Sequence, residues 1–176
     1  MAKNLKDIDK AAEEKGSFLV TVWQFVKFIV VSLLAMIVQF VLLNTLQLIP
    51  AVQDLYTQHF EWWVFIYPVA VGGFGYFIVS NVANIVAQIV AFFVNKEKTF
   101  NSGANVAVAL PIYIVFTIGL IVFSAWLNPT LKDVFVGWNL NEDLAKNIAT
   151  MICSAVQFFL YFPVDKILFH KKKEEN

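Results

Sequence analysis

The sequence contains no arginine, a single cysteine and few charged side chains, which make up 15% of its 176 residues. The lone cysteine, Cys153, offers neither an intramolecular disulfide nor a metal site. Glycines cluster at positions 72, 73 and 75, but no strand precedes them and no Gly-Lys-Ser/Thr signature follows. This arrangement is not a nucleotide-binding loop, and it favours close helix packing instead.

Long hydrophobic runs dominate the rest of the chain. Hydrophobic residues make up 59% of it, aromatic residues 16%, and the mean hydropathy is +0.68. Roughly 20 mostly apolar residues are enough to cross a bilayer as a helix, and four segments qualify: about 28–49, 69–94, 104–127 and 148–164. We therefore expect an all-α integral membrane four-helix bundle at 25–170, an amphipathic leader at 1–24 and a charged tail at 171–176.

The distribution of lysines predicts the orientation of the chain. Lysines gather before the first span, in the connection between the second and third spans, and after the fourth. The other two connections hold only Lys132 and Lys146. Because positive charge marks cytoplasmic loops, the pattern predicts a multi-pass protein of the bacterial plasma membrane with both termini in the cytoplasm. No small-residue cleavage site follows the leader, so we do not expect a cleaved signal peptide.

Two short segments suggest an internal repeat. The stretch "AFFVNKEKTF" at 91–100 resembles "YFPVDKILFH" at 161–170, with Asn95 matched to Asp165 and Lys96 to Lys166. Each segment closes an even-numbered span. The match favours two helical hairpins of equal orientation, a parallel repeat.

Polar side chains recur along the even-numbered spans at helical spacing. At about 100° per residue, they form one stripe on each span: Asn81, Asn84, Gln88 and Asn95 on the second, and Thr150, Ser154, Gln157, Tyr161 and Asp165 on the fourth. Polar groups in hydrocarbon are costly unless they are hydrogen-bonded. One interpretation is helix packing, since interhelical amide bonds hold bundles together. We favour the other, a polar groove, because both stripes end beside a lysine at the same predicted face.

Lysines at that face suggest a site for an anionic head group. Lys27, Lys96, Lys98 and Lys166 all fall near the predicted inner surface. A lysine near a membrane surface contributes about 1 kcal/mol of attraction to anionic lipids. The alternative is that these lysines only anchor the spans. Asp165 is adjacent to Lys166, and we expect the two to form a surface ion pair.

Short motifs resemble the GtrA-like family of small four-helix bacterial membrane proteins. They are "FVKF" at 25–28, "NKEKTF" at 95–100 and the similar ending of the fourth span, and the resemblance covers roughly 23–170. In this resemblance, Asn95 and Phe100 match the Asn and Phe that close the second span, and Ala91 matches a small residue one turn before that Asn. Lys96 stands where many members have Arg, and Lys146 and Gln157 resemble a Lys and an Asn of the last span. The chain departs from the pattern at Ser32, where Gly is usual, and at Pro163 and Asp165, which replace Asn-Arg.

The resemblance implies flipping of polyprenyl-phosphate-linked sugars for glycosylation of cell-surface polysaccharide or teichoic acid. The implied partners are that lipid and membrane glycosyltransferases; homo-oligomerisation stays open, and we expect no nucleic acid. One alternative is a non-catalytic subunit that anchors or activates a glycosyltransferase. A small cation or drug exporter is disfavoured, because no carboxylate lies between Lys27 and Asp54.

An enzyme is disfavoured as well. The two histidines, His59 and His170, fall on opposite sides of the predicted membrane, so they cannot share a site. The sequence places no pair of carboxylates and no metal-ligand cluster in one compartment at useful spacing. We therefore predict no catalytic residues, no metal and no cofactor.

Overall fold

The structure is a computed structural model, and it describes residues 5–170. The predicted tail at 171–176 and the first four residues of the predicted leader lie outside the described residues. Helices account for most of the described chain: α1 Leu5–Glu14, α2 Ser17–Leu46, α3 Pro50–Gln53, α4 Gly73–Val94, α5 Val106–Gly137 and α6 Glu142–Leu168. A π-helical turn at Asn95–Thr99 follows α4 directly.

Four of these helices are long and apolar enough to cross a membrane: α2, α4 with its flanking turns, α5 and α6. This finding confirms the predicted helical architecture of a multi-pass membrane protein. Three of the helices, α2, α5 and α6, are longer than the predicted spans, since α2 begins at Ser17 and α5 ends at Gly137. Hydropathy locates only the apolar stretch that can cross the bilayer, whereas the backbone ladder continues into the polar residues that flank it.

A small hairpin separates α2 from α4. Strands β1 (Phe60–Trp62) and β2 (Phe65–Tyr67) pair antiparallel, with Phe60 opposite Tyr67. Gly72 and Gly73 follow with positive φ angles of 96° and 52°, a conformation that favours glycine. A side chain at Gly75 would collide with the ring of Tyr56. These glycines therefore pack closely on the segment that connects α3 to β1, whereas the sequence pattern favoured packing between helices.

The long helices pack as two antiparallel hairpins. α2 packs mainly on α4 and α5 mainly on α6, while α4 also contacts α5. Small residues on α4 permit the close approach of α2, because Ala87 and Ala91 contact Val31 and Ala35. One end of the bundle carries the start of α2, the π-turn, the start of α5 and the end of α6, and we call it the terminal end. The opposite end, with β1 and β2, is the hairpin end.

An aromatic cluster closes the terminal end. Its buried rings come from α2, α4, α5, α6 and the segments that follow α4 and α6: Phe28, Phe92, Phe100, Tyr113, Tyr161 and Phe169. Outside this cluster the long helices expose many large apolar side chains, including Val30, Phe40 and Val115. An apolar surface of this kind is what a lipid-facing bundle requires.

Candidate functional site

A cavity of about 170 Å³ lies between the four long helices. Its apolar lining includes Phe28, Met36 and Phe158. Its polar lining comes from all four helices and consists of Ser32, Gln39, Gln88, Asn95, Tyr113, Ser154, Gln157 and Tyr161. The two predicted polar stripes therefore meet at one cavity inside an apolar bundle.

Only the part of the α4 stripe nearer the terminal end reaches the cavity. Gln88 and Asn95 line it, and the carbonyl oxygen of Gln88 accepts a 3.0 Å hydrogen bond from the Tyr113 hydroxyl. Asn81 instead donates a 2.7 Å bond to the Phe77 carbonyl of its own helix. Asn84 is half-buried and does not line the cavity. The structure thus brings together two of the four carboxamides that the sequence grouped.

The α6 stripe contributes Ser154, Gln157 and Tyr161 to the cavity. The Gln157 amino group donates to the Ser124 hydroxyl on α5. The Tyr161 hydroxyl donates a 3.0 Å bond to Thr117 on the same neighbouring helix. In the hydrogen bonds among the described residues, Gln88 uses its carbonyl and Gln157 its amino group. The other end of each amide has no hydrogen-bond partner among the described residues, so each can still bind a molecule in the cavity.

Beside the cavity, two buried residues join α4 to α6. The Asn95 amino group donates a 2.8 Å hydrogen bond to Asp165 Oδ2, and Asn95 Oδ1 accepts a 2.8 Å bond from the Thr99 hydroxyl. Asp165 has 0% of its surface exposed. Its other oxygen, Oδ1, has no hydrogen-bond partner among the described residues. Asp165 does not line the cavity itself; it lies behind Asn95.

The expected surface ion pair between Asp165 and Lys166 is wrong. Lys166 is exposed and donates a 2.7 Å bond to the Thr21 hydroxyl on α2, whereas Asp165 faces the interior. Consecutive helical residues point about 100° apart, so adjacency in the sequence does not bring the two side chains together.

The four lysines predicted to form a cationic site all lie at the terminal end, in different environments. Lys27 forms a 2.9 Å ion pair with Asp9 of α1, and Asp9 also accepts a 2.6 Å bond from the Trp23 indole. Lys96 is largely buried and donates a 3.0 Å bond to the Ser102 carbonyl. Lys98 and Lys166 are exposed. These last two offer the more accessible positive charge.

The remaining residues of the family resemblance fall in three places. Lys146 is exposed near the start of α6, far along the helix from the other lysines. Ala91 lines the cavity and packs in the contact between α2 and α4. Phe100 is buried in the aromatic cluster, 5.7 Å from the ring of Phe169. Ala91 and Phe100 therefore support the bundle, and Lys146 lies apart from the cavity.

The cavity reaches the surface of the bundle between α2 and α6. At the terminal end these helices touch through aromatic rings, with Phe25 5.0 Å and Phe28 5.4 Å from the ring of Phe162. Farther along, Met36 and Ser154 line the cavity and are exposed. A molecule in the cavity can therefore keep one part among polar groups while another part extends into the surrounding apolar phase.

Two contacts at the terminal end have no signal in the motifs. Asp9 connects α1 to α2, a contact that the prediction of an amphipathic leader did not include. Ser102 is buried; its carbonyl accepts from Lys96 and its hydroxyl accepts a 3.1 Å bond from the Ala104 amide. Among the side chains that the structure describes, no group of three or more is suited to holding a metal ion.

Searches against protein-family models, curated proteins and solved structures find no match for this chain.

Proposed function

We propose that this protein moves a polyprenyl-phosphate-linked sugar from the cytoplasmic to the outer leaflet of the bacterial plasma membrane, where the sugar serves glycosylation of cell-surface polymers. The observation that carries the proposal is the polar cavity, which is lined by four apolar helices and has its exposed lining residues on α2 and α6. The motif resemblance around "FVKF" and "NKEKTF" supports the choice of lipid.

The lining of the cavity suits the chemistry of such a cargo. Sugar hydroxyls need donors and acceptors when they leave water, because an unpaired polar group in hydrocarbon costs several kcal/mol. Gln39 offers both functions, Gln88 offers its amino group as a donor, and Gln157 offers its carbonyl as an acceptor. The opening between α2 and α6 leaves the prenyl chain in lipid while the sugar exchanges hydrogen bonds with these amides.

The size of the cavity implies that the bundle must open for transport. Its volume of about 170 Å³ is smaller than the roughly 300–1,000 Å³ typical of small-molecule sites. α2 and α6 are the pair with the least contact among adjacent long helices. We therefore assign the opening movement to the separation of α2 from α6, with the rings of Phe25 and Phe158, 5.6 Å apart, as the contact that closes the terminal end.

The orientation in this proposal follows the positive-inside rule. The terminal end faces the cytoplasm, and Lys98 and Lys166 collect the lipid phosphate there. Lysine acts as a point charge instead of a bidentate fork, so the phosphate is attracted without a fixed geometry. Such a contact lets the head group leave again, as transport requires.

A duplicated hairpin accounts for the layout. The pair α2 and α4 corresponds to the pair α5 and α6, and the matched positions Asn95 and Asp165 touch each other. In a parallel repeat, equivalent residues near the axis between the halves meet in this way. The cavity then lies at the interface of the two halves, where carriers built from repeats place their substrates.

A translocation assay in proteoliposomes tests the proposed function. The double variant Q88L/Q157L removes two lining amides, whereas N84L is the matched control because Asn84 belongs to the same α4 stripe but does not line the cavity. We expect purified wild type and N84L to move a polyprenyl-phosphate-linked sugar and Q88L/Q157L to lose this movement while still inserting. Equal translocation by all three proteins rejects the cavity as the path.

The same assay addresses the accessory-subunit alternative. Wild-type protein that moves no lipid alone but copurifies with a glycosyltransferase and raises its activity favours that alternative. The polar stripes weigh against this alternative, since Gln88, Asn95 and Gln157 turn toward neighbouring helices of their own bundle and not outward to another protein.

A further inference from the structure

We propose that Asp165 is a proton-binding site whose state controls how well the cavity binds its ligand through the shared side chain of Asn95. The proton-binding part stands on the geometry of Asp165 alone. The part concerning the ligand rests on the proposed function.

The Asp165 carboxyl has few interactions with the side chains around it. It is fully buried, it accepts one hydrogen bond from a neutral amide, and its Oδ1 atom has no partner among the described residues. A buried carboxylate needs a cation or several donors to offset its desolvation. An uncharged carboxylic acid needs neither. Ionisable side chains buried in membrane-spanning helices are frequently parts of proton pathways.

Side chains from all four long helices surround this carboxyl. Tyr113 from α5 and Tyr161 from α6 interact with it electrostatically, and both are neutral phenols in their ordinary state. Asn95 and Thr99, from the α4 side, carry no charge. On the α2 side, Phe28 packs in the cluster that holds both tyrosines.

No lysine whose side chain the structure describes forms an ion pair with Asp165. The two lysines next to this pair in the sequence are directed elsewhere: Lys96 donates to the Ser102 carbonyl and Lys166 to Thr21. A charged Asp165 therefore has no opposite charge within bonding distance among the described side chains, and Oδ1, which has no partner among them, is the atom that takes the proton.

Asn95 links the Asp165 carboxyl to the cavity. Asn95 lines the cavity and gives its amino group to Asp165 Oδ2. A carboxylate accepts this hydrogen bond more strongly than a neutral acid does. Protonation of Asp165 therefore frees the Asn95 amino group to bind a sugar hydroxyl or a phosphate oxygen in the cavity. By reciprocity, a ligand that takes this amino group favours the protonated carboxyl.

The proton transfer is a simple dissociation. When Asp165 releases the proton, the O–H bond at Oδ1 breaks, its electron pair stays on the carboxylate, and the proton passes to water. Nothing is oxidised or reduced. Charge and ligand occupancy change together, because both depend on one amide.

Infrared difference spectroscopy of the reconstituted, ligand-free chain tests the proton site. We expect a carboxylic-acid carbonyl band at mildly acidic pH that disappears at alkaline pH. The band should be absent from D165N and unchanged in D133N, since Asp133 is exposed. A wild-type spectrum equal to that of D165N over the whole pH range overturns the proposal.

A second variant keeps the test decisive if D165N does not fold. N95A removes the donor to Oδ2, so the acid carbonyl band should move to higher frequency as its hydrogen bond is lost. A band that does not move belongs to another residue, and the assignment to Asp165 fails.

Binding of a polyprenyl-phosphate-linked sugar then tests the coupling. We expect wild-type affinity to fall as pH rises and D165N affinity to stay constant with pH. Equal pH dependence in both proteins rejects the coupling while leaving the proton site in place. Because the infrared experiment contains no lipid-linked sugar, a negative result there is distinguishable from a failure of the proposed function.

Discussion

Asn95 and Asp165, which are 70 residues apart in the sequence, form a 2.8 Å hydrogen bond between their side chains. They occupy matching positions in the segments "NKEKTF" and "DKILFH". The bond joins the end of the α2–α4 hairpin to the end of the α5–α6 hairpin. Both residues are almost fully buried, so this polar link between the two hairpins is shielded from lipid and water.

The bond should contribute measurably to the stability of the bundle. A double-mutant cycle with N95A, D165A and the combined variant should give a coupling energy of about 1–2 kcal/mol, the upper range for interhelical hydrogen bonds in membranes. The measurement is unfolding of the purified protein in mixed detergent micelles. A cycle between N81A and D165A is the control and should give a value near zero, since Asn81 bonds within its own helix.

Asp9 should hold α1 against α2. Its carboxylate accepts from the Trp23 indole and pairs with Lys27, so D9A removes both contacts. We expect faster amide hydrogen exchange over α1 and a small stability loss of about 1 kcal/mol. E14A, which removes an exposed carboxylate from the same helix, should leave exchange unchanged. Equal exchange in both variants contradicts the role of Asp9.

The exposed lysines at the terminal end should determine affinity for a lipid phosphate. Each contributes about 1 kcal/mol near a membrane surface, so K98Q/K166Q, which loses about 2 kcal/mol, should bind polyprenyl phosphate in bicelles about 30-fold more weakly. The difference should shrink at high salt because exposed charges are screened. K132Q, at the other end of α5, is the control and should bind as wild type does. Unchanged binding by the double variant removes these lysines from the site.

The four long helices were accessible from the sequence because apolar runs of membrane length are a strong and local signal. Their polar stripes were also accessible, since helical spacing alone places Gln88 and Asn95 on one face. The sequence did not show which members of a stripe reach the cavity. That depends on the crossing of α2 and α4, and the difference between Asn84 and Gln88 is one turn along the same face.

The surface ion pair between Asp165 and Lys166 was predicted wrongly for a related reason. The sequence offered Lys166 as a neighbour, but the rotation of the end of α6 turns Asp165 inward and Lys166 outward. Asn95 begins the π-turn after α4, and nothing in "NKEKTF" distinguishes that turn from an ordinary helix end. The β1–β2 hairpin was missed because strands of three residues are too short to show alternation.

Native mass spectrometry of the protein purified from bacterial membranes tests the central claim most directly, because it asks what the cavity holds without assuming a direction or a driving force. The account predicts a retained polyprenyl-phosphate sugar on wild type and on N84L, and its loss from Q88L/Q157L. Wild-type protein that retains only bulk phospholipid, or a double variant that retains the same adduct, contradicts it.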